Sequence, residues 1–411
     1  MNKNVLYLSY DGMTDPLGQS QVLPYLVGLS KMGYQISLIS FEKMERFSAT
    51  KELITEICQR AGISWHPEKY TKRPPVLSTI RDIWVMRKAA AALHKKAKFD
   101  LIHCRSYIGA MTGLWMGERF NVPYIFDMRG FWADERVDGG LWSLGNPVYK
   151  TVYRYFKRKE KQFLNNAAAI VSLTFNAKEE LTSRNVHRES LPIFVIPCCV
   201  DLTLFNPENI TVSEVEALKK DLGIDKSSFV ITYVGSIGTW YLLTEMLIFF
   251  KKLQERLPSS VLLFVTPDSA EEIVKTAEKL GIDPGTLRVR EAKRKEVPLY
   301  ISVGAYSLFF IKPTYSKKAS SPTKQGEIMA MGKPVICNAG IGDTDFVINS
   351  YKSGILVDKM TEKSFAATVD KMLVASFTRE KIRDGAKEFF SLERGLEKYG
   401  QVYDFALNAS R

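Results

Sequence analysis

Short apolar runs alternate with longer amphipathic segments along almost the whole chain. In the first half, runs such as Val5–Ser9 and Leu101–Cys104 predict buried strands, and the segments between such runs have the apolar spacing of helices. The pattern pauses near residue 200 and restarts at Val230–Val234 with a second set of strands and helices. Strands separated by helices are typical of βαβ units and parallel sheets. The sequence therefore predicts an α/β protein with two parallel sheets.

The predicted strands are 5–9, 35–39, 63–66, 101–104, 124–126, 169–173, 194–196, 230–234, 261–265, 287–290, 307–311, 335–337 and 354–357. The predicted helices are 19–31, 49–61, 78–96, 109–120, 147–165, 177–183, 241–256, 270–280, 297–302, 321–331, 362–375 and 392–407.

Composition limits the class of protein. A chain of 411 residues exceeds the usual size of one hydrophobic core, so two domains are expected. No apolar run reaches the roughly 18 residues needed to span a bilayer, and the short apolar run before Asp11 indicates a first strand rather than a signal peptide. The cysteines, 5 in number, lack any C-x-x-C spacing, which indicates buried thiols in a reducing cytoplasm. The few histidines are widely separated, so we expect no bound metal.

The segment Ser321–Ile336 has the features of a helix followed at once by a buried strand. Ser321 suits the N-cap of a helix and Pro322 its first position. Gly332 and then Pro334 predict the end of the helix.

The start of this helix favours an anion. Free amides at Thr323 and Lys324, together with the Lys324 ammonium, favour a phosphate at that end. Glu327 lies three and four positions further along, hence on the same helical face. A carboxylate one turn from a phosphate is well placed to accept hydrogen bonds from the two hydroxyls of a ribose. We therefore predict that this helix binds a nucleotide; the alternative is a buried amphipathic helix with an ordinary cap.

The run Glu327–Val335 resembles the E-x-M-A-x-G-x-P-V signature of glycosyltransferase family 4, in which the glutamate holds the donor ribose. The resemblance implies the GT-B fold, with two facing Rossmann-like domains, parallel sheets and a C-terminal crossover helix. It also implies transfer from a nucleotide sugar with retention of configuration, without a metal and without a cofactor beyond that co-substrate. The family usually has a second glutamate eight positions earlier, where this chain has Ala319. The contacts to the transferred sugar are therefore left open.

The segment Ile196–Phe205 is similar to the I-P-x-x-V-D-x-x-x-F segment that links the two domains of this family. We accordingly expect an acceptor-side domain over residues 1–196, a hinge over 197–206 and a nucleotide-sugar-binding domain over 207–389. By analogy with the family, the tail over 390–411 crosses back to the first domain as a helix.

Polar residues follow two neighbouring strands of the first predicted sheet. His103 lies at the end of the fourth strand, and Asp127 and Arg129 follow the fifth. The carboxyl ends of parallel strands line the crevice in which α/β proteins bind ligands, so we predict these three as catalytic residues that contact the acceptor or the transferred sugar. An arginine can hold a phosphate through two parallel hydrogen bonds. The alternatives are an ion pair of Asp127 and Arg129 with local partners, and a core histidine.

A loop with two glycines, residues 11–21, joins the first strand to the first helix. A glycine there allows the backbone to approach a ligand, and the family commonly has a glycine-rich loop in this place. We therefore predict that Gly18 contacts the donor. The loop is not a G-x-G-x-x-G fingerprint, which disfavours a dehydrogenase.

The turn after the strand 230–234 contains Gly235, Ser236 and Gly238, which we predict to contact the donor. The arginine and lysine that the family usually has after this strand are missing, so positive charge for the diphosphate must come from elsewhere. The available lysines follow later strands: Lys312, Lys317, Lys318 and Lys324. We assign Lys324 first and Lys312 with it to the donor, while Lys317 and Lys318 are interpreted as solvated.

The formal net charge of +12 requires a negatively charged partner. Basic residues are densest in Lys150–Lys161, where they alternate with tyrosine and phenylalanine at helical spacing. Such a helix either lies on an anionic membrane or is a solvated helix whose aromatic side, with Tyr153, Phe156 and Phe163, faces the core. The first alternative implies a lipid-linked acceptor and a peripheral position on the inner face of the membrane. No nucleic-acid-binding motif is present, so we expect no nucleic acid partner.

Together with the family resemblance, these patterns imply a metal-independent, retaining glycosyltransferase of the cytoplasm that moves a hexosyl group from a nucleotide-diphosphate sugar to a glycan or lipid-linked acceptor. A role in cell-surface polysaccharide biosynthesis is expected. Two alternatives remain open. One is a nucleotide-sugar epimerase of the same fold, and the other is a non-catalytic protein that binds glycans or membranes, which the missing glutamate at Ala319 favours.

Overall fold

The computed structural model describes residues 3–184, 188 and 191–408. The chain divides into two compact units. The first consists of the described parts of Met1–Pro197 and Leu392–Arg411, and the second of Cys198–Ser391.

In these residues the strands are β1 (Lys3–Leu8), β2 (Tyr34–Glu42), β3 (Ser64–Lys69), β4 (Leu101–Arg105), β5 (Tyr124–Asp127), β6 (Ala169–Ser172), β7 (Ile193–Val195), β8 (Val230–Val234), β9 (Val261–Val265), β10 (Leu287–Arg290), β11 (Tyr306–Phe309), β12 (Val335–Asn338) and β13 (Gly354–Val357).

The helices are α1 (Pro16–Gln21), α2 (Leu23–Lys31), α3 (Met44–Arg60), α4 (Leu77–Ala97), α5 (Ser106–Phe120), α6 (Trp132–Asp138), α7 (Pro147–Asn166), α8 (Phe175–Ser183), α9 (Val212–Asp221), α10 (Leu243–Gln254), α11 (Ala270–Lys279), α12 (Val297–Val303), α13 (Thr323–Ala330), α14 (Thr344–Tyr351), α15 (Glu362–Val374), α16 (Arg379–Phe389) and α17 (Leu392–Asn408). In the part of the chain that the structure describes, none of them is both long and apolar enough to cross a bilayer.

Each unit is built on one parallel sheet. The strand order is β3-β2-β1-β4-β5-β6-β7 in the first unit and β10-β9-β8-β11-β12-β13 in the second, and the neighbouring strands pair in parallel. The predicted α/β fold with two parallel sheets is thereby confirmed. The order reverses between β1 and β4 and between β8 and β11, and α/β proteins bind ligands at such points, outside the carboxyl ends of the strands.

The central strands are buried on both faces because helices cover both sides of each sheet. All residues of β8 and β9 are buried, which explains why these strands are continuous apolar runs rather than alternating ones. The helix predicted over 19–31 is two helices instead, α1 and α2. Pro24 has no amide hydrogen to donate and excludes a continuous helix through this point.

The basic helix of the sequence analysis is α7, and its aromatic side faces the core. Phe156 and Phe163 are buried, and the Tyr153 hydroxyl donates a hydrogen bond of 2.8 Å to Asp134. Of the two alternatives for these aromatic side chains, the structure shows inward packing.

Helix α17 belongs to the first unit, where it packs on α2 and on the sheet. A Cβ atom at Gly28 would lie 2.3 Å from the Leu396 side chain, so a larger residue there would require Leu396 to move where α2 packs on α17. The Tyr25 and Tyr399 rings meet edge to face, with centroids 5.2 Å apart.

Candidate functional site

Helix α13 begins close to the carboxyl ends of β8 and β11, where the strand order of the second sheet reverses. Its first residue is Thr323, and its N-cap is Pro322, whose side chain has no atom that could accept a hydrogen bond. The predicted cap by Ser321 is therefore wrong: the Ser321 hydroxyl instead accepts a hydrogen bond of 3.1 Å from the Cys198 amide. Among the described residues, none accepts a hydrogen bond from the Thr323 or Lys324 amide, so both are available donors at the start of the helix.

The end of α13 follows the prediction. Gly332 has a φ of +66°, in the left-handed region. Its amide donates to the Met329 carbonyl at 2.9 Å, and the Lys333 amide donates to the Ile328 carbonyl at 3.2 Å. This pair of bonds is a Schellman motif, which ends the helix directly before β12.

The Lys324 ammonium is enclosed by aromatic rings at the end of β8. Its Nζ lies 3.5 Å from the centre of the Tyr241 ring and 4.1 Å from that of the Tyr233 ring. It also donates a hydrogen bond of 3.1 Å to the Tyr233 hydroxyl. A Cβ atom at Gly235 would lie 3.2 Å from this Nζ, so the ammonium reaches the turn after β8. Lys324 therefore brings positive charge to the strand end at which the arginine and lysine usual in the family are missing.

Burial lowers the pKa of Lys324 well below its ordinary value of 10.5, and the negative charges of Glu327 and Asp268 oppose this shift only in part. Within the described residues no carboxylate forms an ion pair with the ammonium. An anion bound beside Lys324 would supply this countercharge and raise the pKa again.

Glu327 is held in place by an arginine from the loop after β10. Its Oε1 accepts a hydrogen bond of 2.5 Å from Arg294 Nη1. The guanidinium carbon of Arg294 lies 4.6 Å from the centre of the Phe205 ring, which positions the arginine in turn. Among the described residues Oε2 accepts no hydrogen bond. One oxygen of a buried carboxylate is thus fixed, and the other is available.

The turn between β8 and α10 depends on its glycines. Gly235 has a φ of +108° and Gly238 a φ of +40°, both in the region that favours glycine. The Gly235 amide donates to the Val265 carbonyl at 2.9 Å, and the Ser236 carbonyl accepts a hydrogen bond of 2.6 Å from the Tyr233 hydroxyl. The turn is thereby fixed beside Lys324, while contacts of Gly235, Ser236 and Gly238 with the donor stay predictions.

A second lysine lies on an aromatic ring next to this turn. Lys317 is buried, with its Nζ 3.6 Å from the centre of the Trp240 ring, so the interpretation of Lys317 as solvated is wrong. Lys312 is exposed, and its amide donates to the Trp240 carbonyl at 2.9 Å. Ala319 is buried in the same segment, and its methyl group supplies no carboxylate where the family has its second glutamate.

A D-x-D spacing, Asp343 and Asp345, lies where the loop after β12 leads into the first turn of α14. Asp345 accepts hydrogen bonds of 3.1 and 3.2 Å from the Gly340 amide, so it stabilises the loop itself. Across residues 3–184, 188 and 191–408, no three His, Cys, Asp or Glu side chains are grouped so as to hold a metal ion.

In the first unit, His103 and Asp127 lie in a buried cluster that fixes α17 to β4 and β5. His103 Nε2 is 3.3 Å from Asp127 Oδ2, and His103 Nδ1 is 2.9 Å from the Tyr403 hydroxyl. Tyr399 donates a further hydrogen bond of 3.0 Å to Asp127. Burial lowers the pKa of His103, so the neutral ring donates to the carboxylate through Nε2 and accepts from Tyr403 through Nδ1. These contacts are those of a core histidine, and catalysis by His103 and Asp127 stays a prediction.

Two buried arginines lie at the carboxyl ends of β4 and β5. Arg129 has a φ of +57°, and its Nη1 is 3.9 Å from Asp127 Oδ2. Arg105 is 3% exposed and donates to Asp11 at 3.0 Å. Burial opposes ionisation of Asp127, but the charges of Arg129 and Arg105 and the His103 hydrogen bond outweigh it and lower the pKa of Asp127. This edge of the first sheet therefore carries two guanidinium groups next to the Asp127 carboxylate.

The backbone amides of the loop before α1 donate to a carboxylate of the same chain. The buried Glu42 carboxylate accepts hydrogen bonds from the Met13 amide at 2.8 Å and from the Thr14 amide at 3.1 Å. A Cβ atom at Gly18 would lie 2.2 Å from the Gly12 carbonyl oxygen, so Gly18 is required for packing of α1 on this loop. The contact of Gly18 with the donor stays a prediction.

Several residues of both sites have no signal that identifies them in the sequence. Arg294 lies in a polar loop between β10 and α12, and Arg105 is one of many basic residues of the first half. The adjacent aromatic residues Trp240 and Tyr241, directly after the glycine turn, are the one local hint of the lysine-binding rings.

Two family models match the chain in succession. The model of Glycosyltransferase Family 4 matches residues 21–204, and that of Glycosyl transferases group 1 matches residues 214–389.

Individual proteins are similar over most of the chain. The D-inositol 3-phosphate glycosyltransferase of Salinispora arenicola is 21% identical over 335 residues, which cover 78% of this chain and 72% of that protein. The structure of sucrose-phosphate synthase from Thermosynechococcus elongatus has a TM-score of 0.75 at 16% identity, over 99% of this chain and 100% of that one. The Anabaena protein HepE, in complex with UDP and glucose, has a TM-score of 0.70 at 13% identity, over 97% and 99% of the two chains. At these identities the structures show a shared fold.

Proposed function

Because the chain belongs to glycosyltransferase family 4 and has the GT-B fold, we propose that it transfers a hexosyl group from a nucleotide-diphosphate sugar, with retention of configuration. The acceptor in this proposal is a glycan or a lipid-linked sugar of cell-surface polysaccharide biosynthesis, and the reaction takes place in the cytoplasm. Neither a metal nor a further cofactor takes part in it.

The observation that carries the proposal is the position of Lys324 at the start of α13. The amides of Thr323 and Lys324 and the ammonium converge where a diphosphate would lie, and Glu327 follows one turn later with one oxygen available for ribose hydroxyls. A nucleotide needs this order, with the phosphates at the positive helix end and the ribose along the helix. The bound UDP of the Anabaena neighbour supports a nucleotide as ligand.

In the proposed reaction the bond between the anomeric carbon and the diphosphate oxygen breaks first, and the acceptor oxygen attacks from the same face. Negative charge grows on the departing diphosphate, where Lys324 and the α13 amides stabilise it without reorganisation. The acceptor hydroxyl loses its proton to the leaving phosphate oxygen. Retention by this route requires no carboxylate nucleophile.

The first prediction is that nucleotide sugars stabilise the folded protein. A ligand that binds only the native state raises the midpoint of thermal unfolding, by an amount that grows with the ratio of its concentration to its Kd. A panel of nucleotide-diphosphate sugars, compared with the free sugars, should therefore identify the base and the sugar. Stabilisation by a nucleotide sugar without any release of nucleotide diphosphate when acceptors are added would favour a binding protein, and conversion of the donor alone would favour an epimerase.

A second prediction concerns the acceptor. Arg129→Gln should lower the transfer rate at least about ten-fold, because a guanidinium that pairs with an anionic acceptor contributes about 1.5–3 kcal/mol. The affinity for nucleotide diphosphate, measured by calorimetry, should not change. The matched control is Arg119→Gln, an exposed arginine of α5. If Arg129→Gln weakens nucleotide binding as well, the assignment of Arg129 to the acceptor is wrong.

A further inference from the structure

Helix α4 has a second apolar face that points outward. Leu77, Ile80 and Trp84 are 64%, 57% and 62% exposed, and their spacing of three and seven positions places them on one side of the helix. The opposite side, with Ile83 and Met86, is buried in the first unit. Three large exposed apolar side chains in a row on one helix are unusual for a surface that faces only water.

Basic residues continue this face along the helix. Lys88 and Lys95 lie one and three turns after Trp84 on the same side, both exposed, and Lys88 Nζ is 5.4 Å from the centre of the Trp84 ring. Arg81 is exposed beside them. The one acidic residue of α4, Asp82, is fully buried. We call Leu77, Ile80, Arg81, Trp84, Lys88 and Lys95 the α4 face.

Helix α7 adds further positive charge next to the α4 face. Both helices pack on α5, and both contact its residue Met111. The Met111 carbonyl accepts a hydrogen bond of 3.1 Å from Arg87 of α4, and the Met111 sulfur lies 4.0 Å from the Tyr155 hydroxyl of α7. The exposed side of α7 includes Arg154 and Arg158.

Part of the positive charge of α7 is neutralised within the unit. Lys157 is paired with Asp134 at 2.9 Å and with the buried Glu160 at 2.6 Å, so this cation serves the fold. With Phe156 and Phe163 buried, α7 supplies mainly cations, and α4 supplies the apolar side chains.

We propose that the α4 face lies on an anionic lipid bilayer, with Leu77, Ile80 and Trp84 at the boundary between headgroups and acyl chains. Lys88, Lys95 and Arg81 would then reach the lipid phosphates. An apolar patch that cations of the same helix adjoin fits this surface, because apolar burial and electrostatic attraction act together in interfacial binding. A second copy of the chain fits poorly, since a two-fold contact would set this positive surface against itself. The inference concerns a surface of the first unit and does not depend on the proposed donor site.

Vesicle co-sedimentation of the full chain tests the proposal. The chain should sediment with phosphatidylcholine vesicles that contain about one-third phosphatidylglycerol and should not sediment with pure phosphatidylcholine. Binding should weaken at high salt, because screening shortens the range of the electrostatic attraction. The double variant Ile80→Ser/Trp84→Ser should bind about ten-fold more weakly through loss of apolar area, and Arg81→Gln/Lys88→Gln should also bind more weakly.

The control is Val212→Ser/Val374→Ser, which removes two apolar side chains of the second unit that are more exposed than Ile80 and Trp84. Its vesicle binding should equal that of the unaltered chain, and each variant should keep the same thermal unfolding midpoint. Absence of binding to anionic vesicles would overturn the proposal. So would binding that falls only with Arg154→Gln/Arg158→Gln, which would mean charge attraction without apolar contact. A change from dimer to monomer in Ile80→Ser/Trp84→Ser would assign the face to a second copy instead.

Discussion

Replacement of Lys324 by methionine should lower the turnover of sugar transfer about 100- to 1,000-fold, the loss expected when one fixed donor to a developing anion is removed from a site shielded from water. Methionine has nearly the length of lysine and no charge, so the rings of Tyr233 and Tyr241 keep a side chain to pack against. The affinity for the donor should fall less than the turnover, because charge on the diphosphate increases in the transition state. Steady-state kinetics with separate measurement of donor binding tests both parts.

The pH dependence of diphosphate binding gives an independent measurement on Lys324. Because burial lowers the pKa of this ammonium well below 10.5, its charge is lost as the pH rises through the lowered pKa. The affinity for nucleotide diphosphate should therefore decrease toward alkaline pH in the unaltered chain and stay flat in Lys324→Met over the same range. Lys251→Met, at an exposed lysine of α10 that bonds a carbonyl, is the control for removal of a lysine. If Lys324→Met weakened the binding of a nucleoside without phosphates as much as that of the nucleotide diphosphate, Lys324 would act on the structure of the site instead.

The pattern of apolar residues predicts the strands of both sheets because these strands are buried on both faces. Val230–Val234 and Val261–Val265 have the predicted bounds, since a short continuous apolar run between polar turns has few other structures open to it. Helices without a distinct apolar side were not predictable in this way. Helix α9 has no buried residue, and the short helix α6 lies in a segment whose polar residues have the pattern of a loop.

The polar residues of α13 itself can be predicted from the sequence, whereas the residues that contact them come from distant positions. Lys324 and Glu327 can be assigned from their spacing on one helix, whereas Tyr233 and Arg294 reach them from other elements of the unit. The predicted N-cap at Ser321 is wrong for the same reason, because the Ser321 hydroxyl accepts a hydrogen bond from the Cys198 amide, which is distant in sequence. The position of His103 at a strand end is predictable from the sequence. Its hydrogen-bond partner Tyr403 is not, because this tyrosine of α17 comes from the far end of the chain.

Glu327→Ala should weaken the binding of the nucleotide donor by about 2–4 kcal/mol, roughly 30- to 1,000-fold in Kd. The physical reason is that Oε1 of this buried carboxylate is fixed by Arg294 while Oε2 is available, so that in the proposal it accepts charged hydrogen bonds from the ribose hydroxyls. A nucleotide with a 2′,3′-dideoxyribose should bind the unaltered chain and Glu327→Ala with similar affinity, because the hydroxyls are then absent. Glu271→Ala, an exposed carboxylate in the first turn of α11, controls for loss of negative charge. Calorimetric titration measures these affinities. An unchanged Kd in a folded Glu327→Ala variant would contradict the assignment of ribose binding to Glu327.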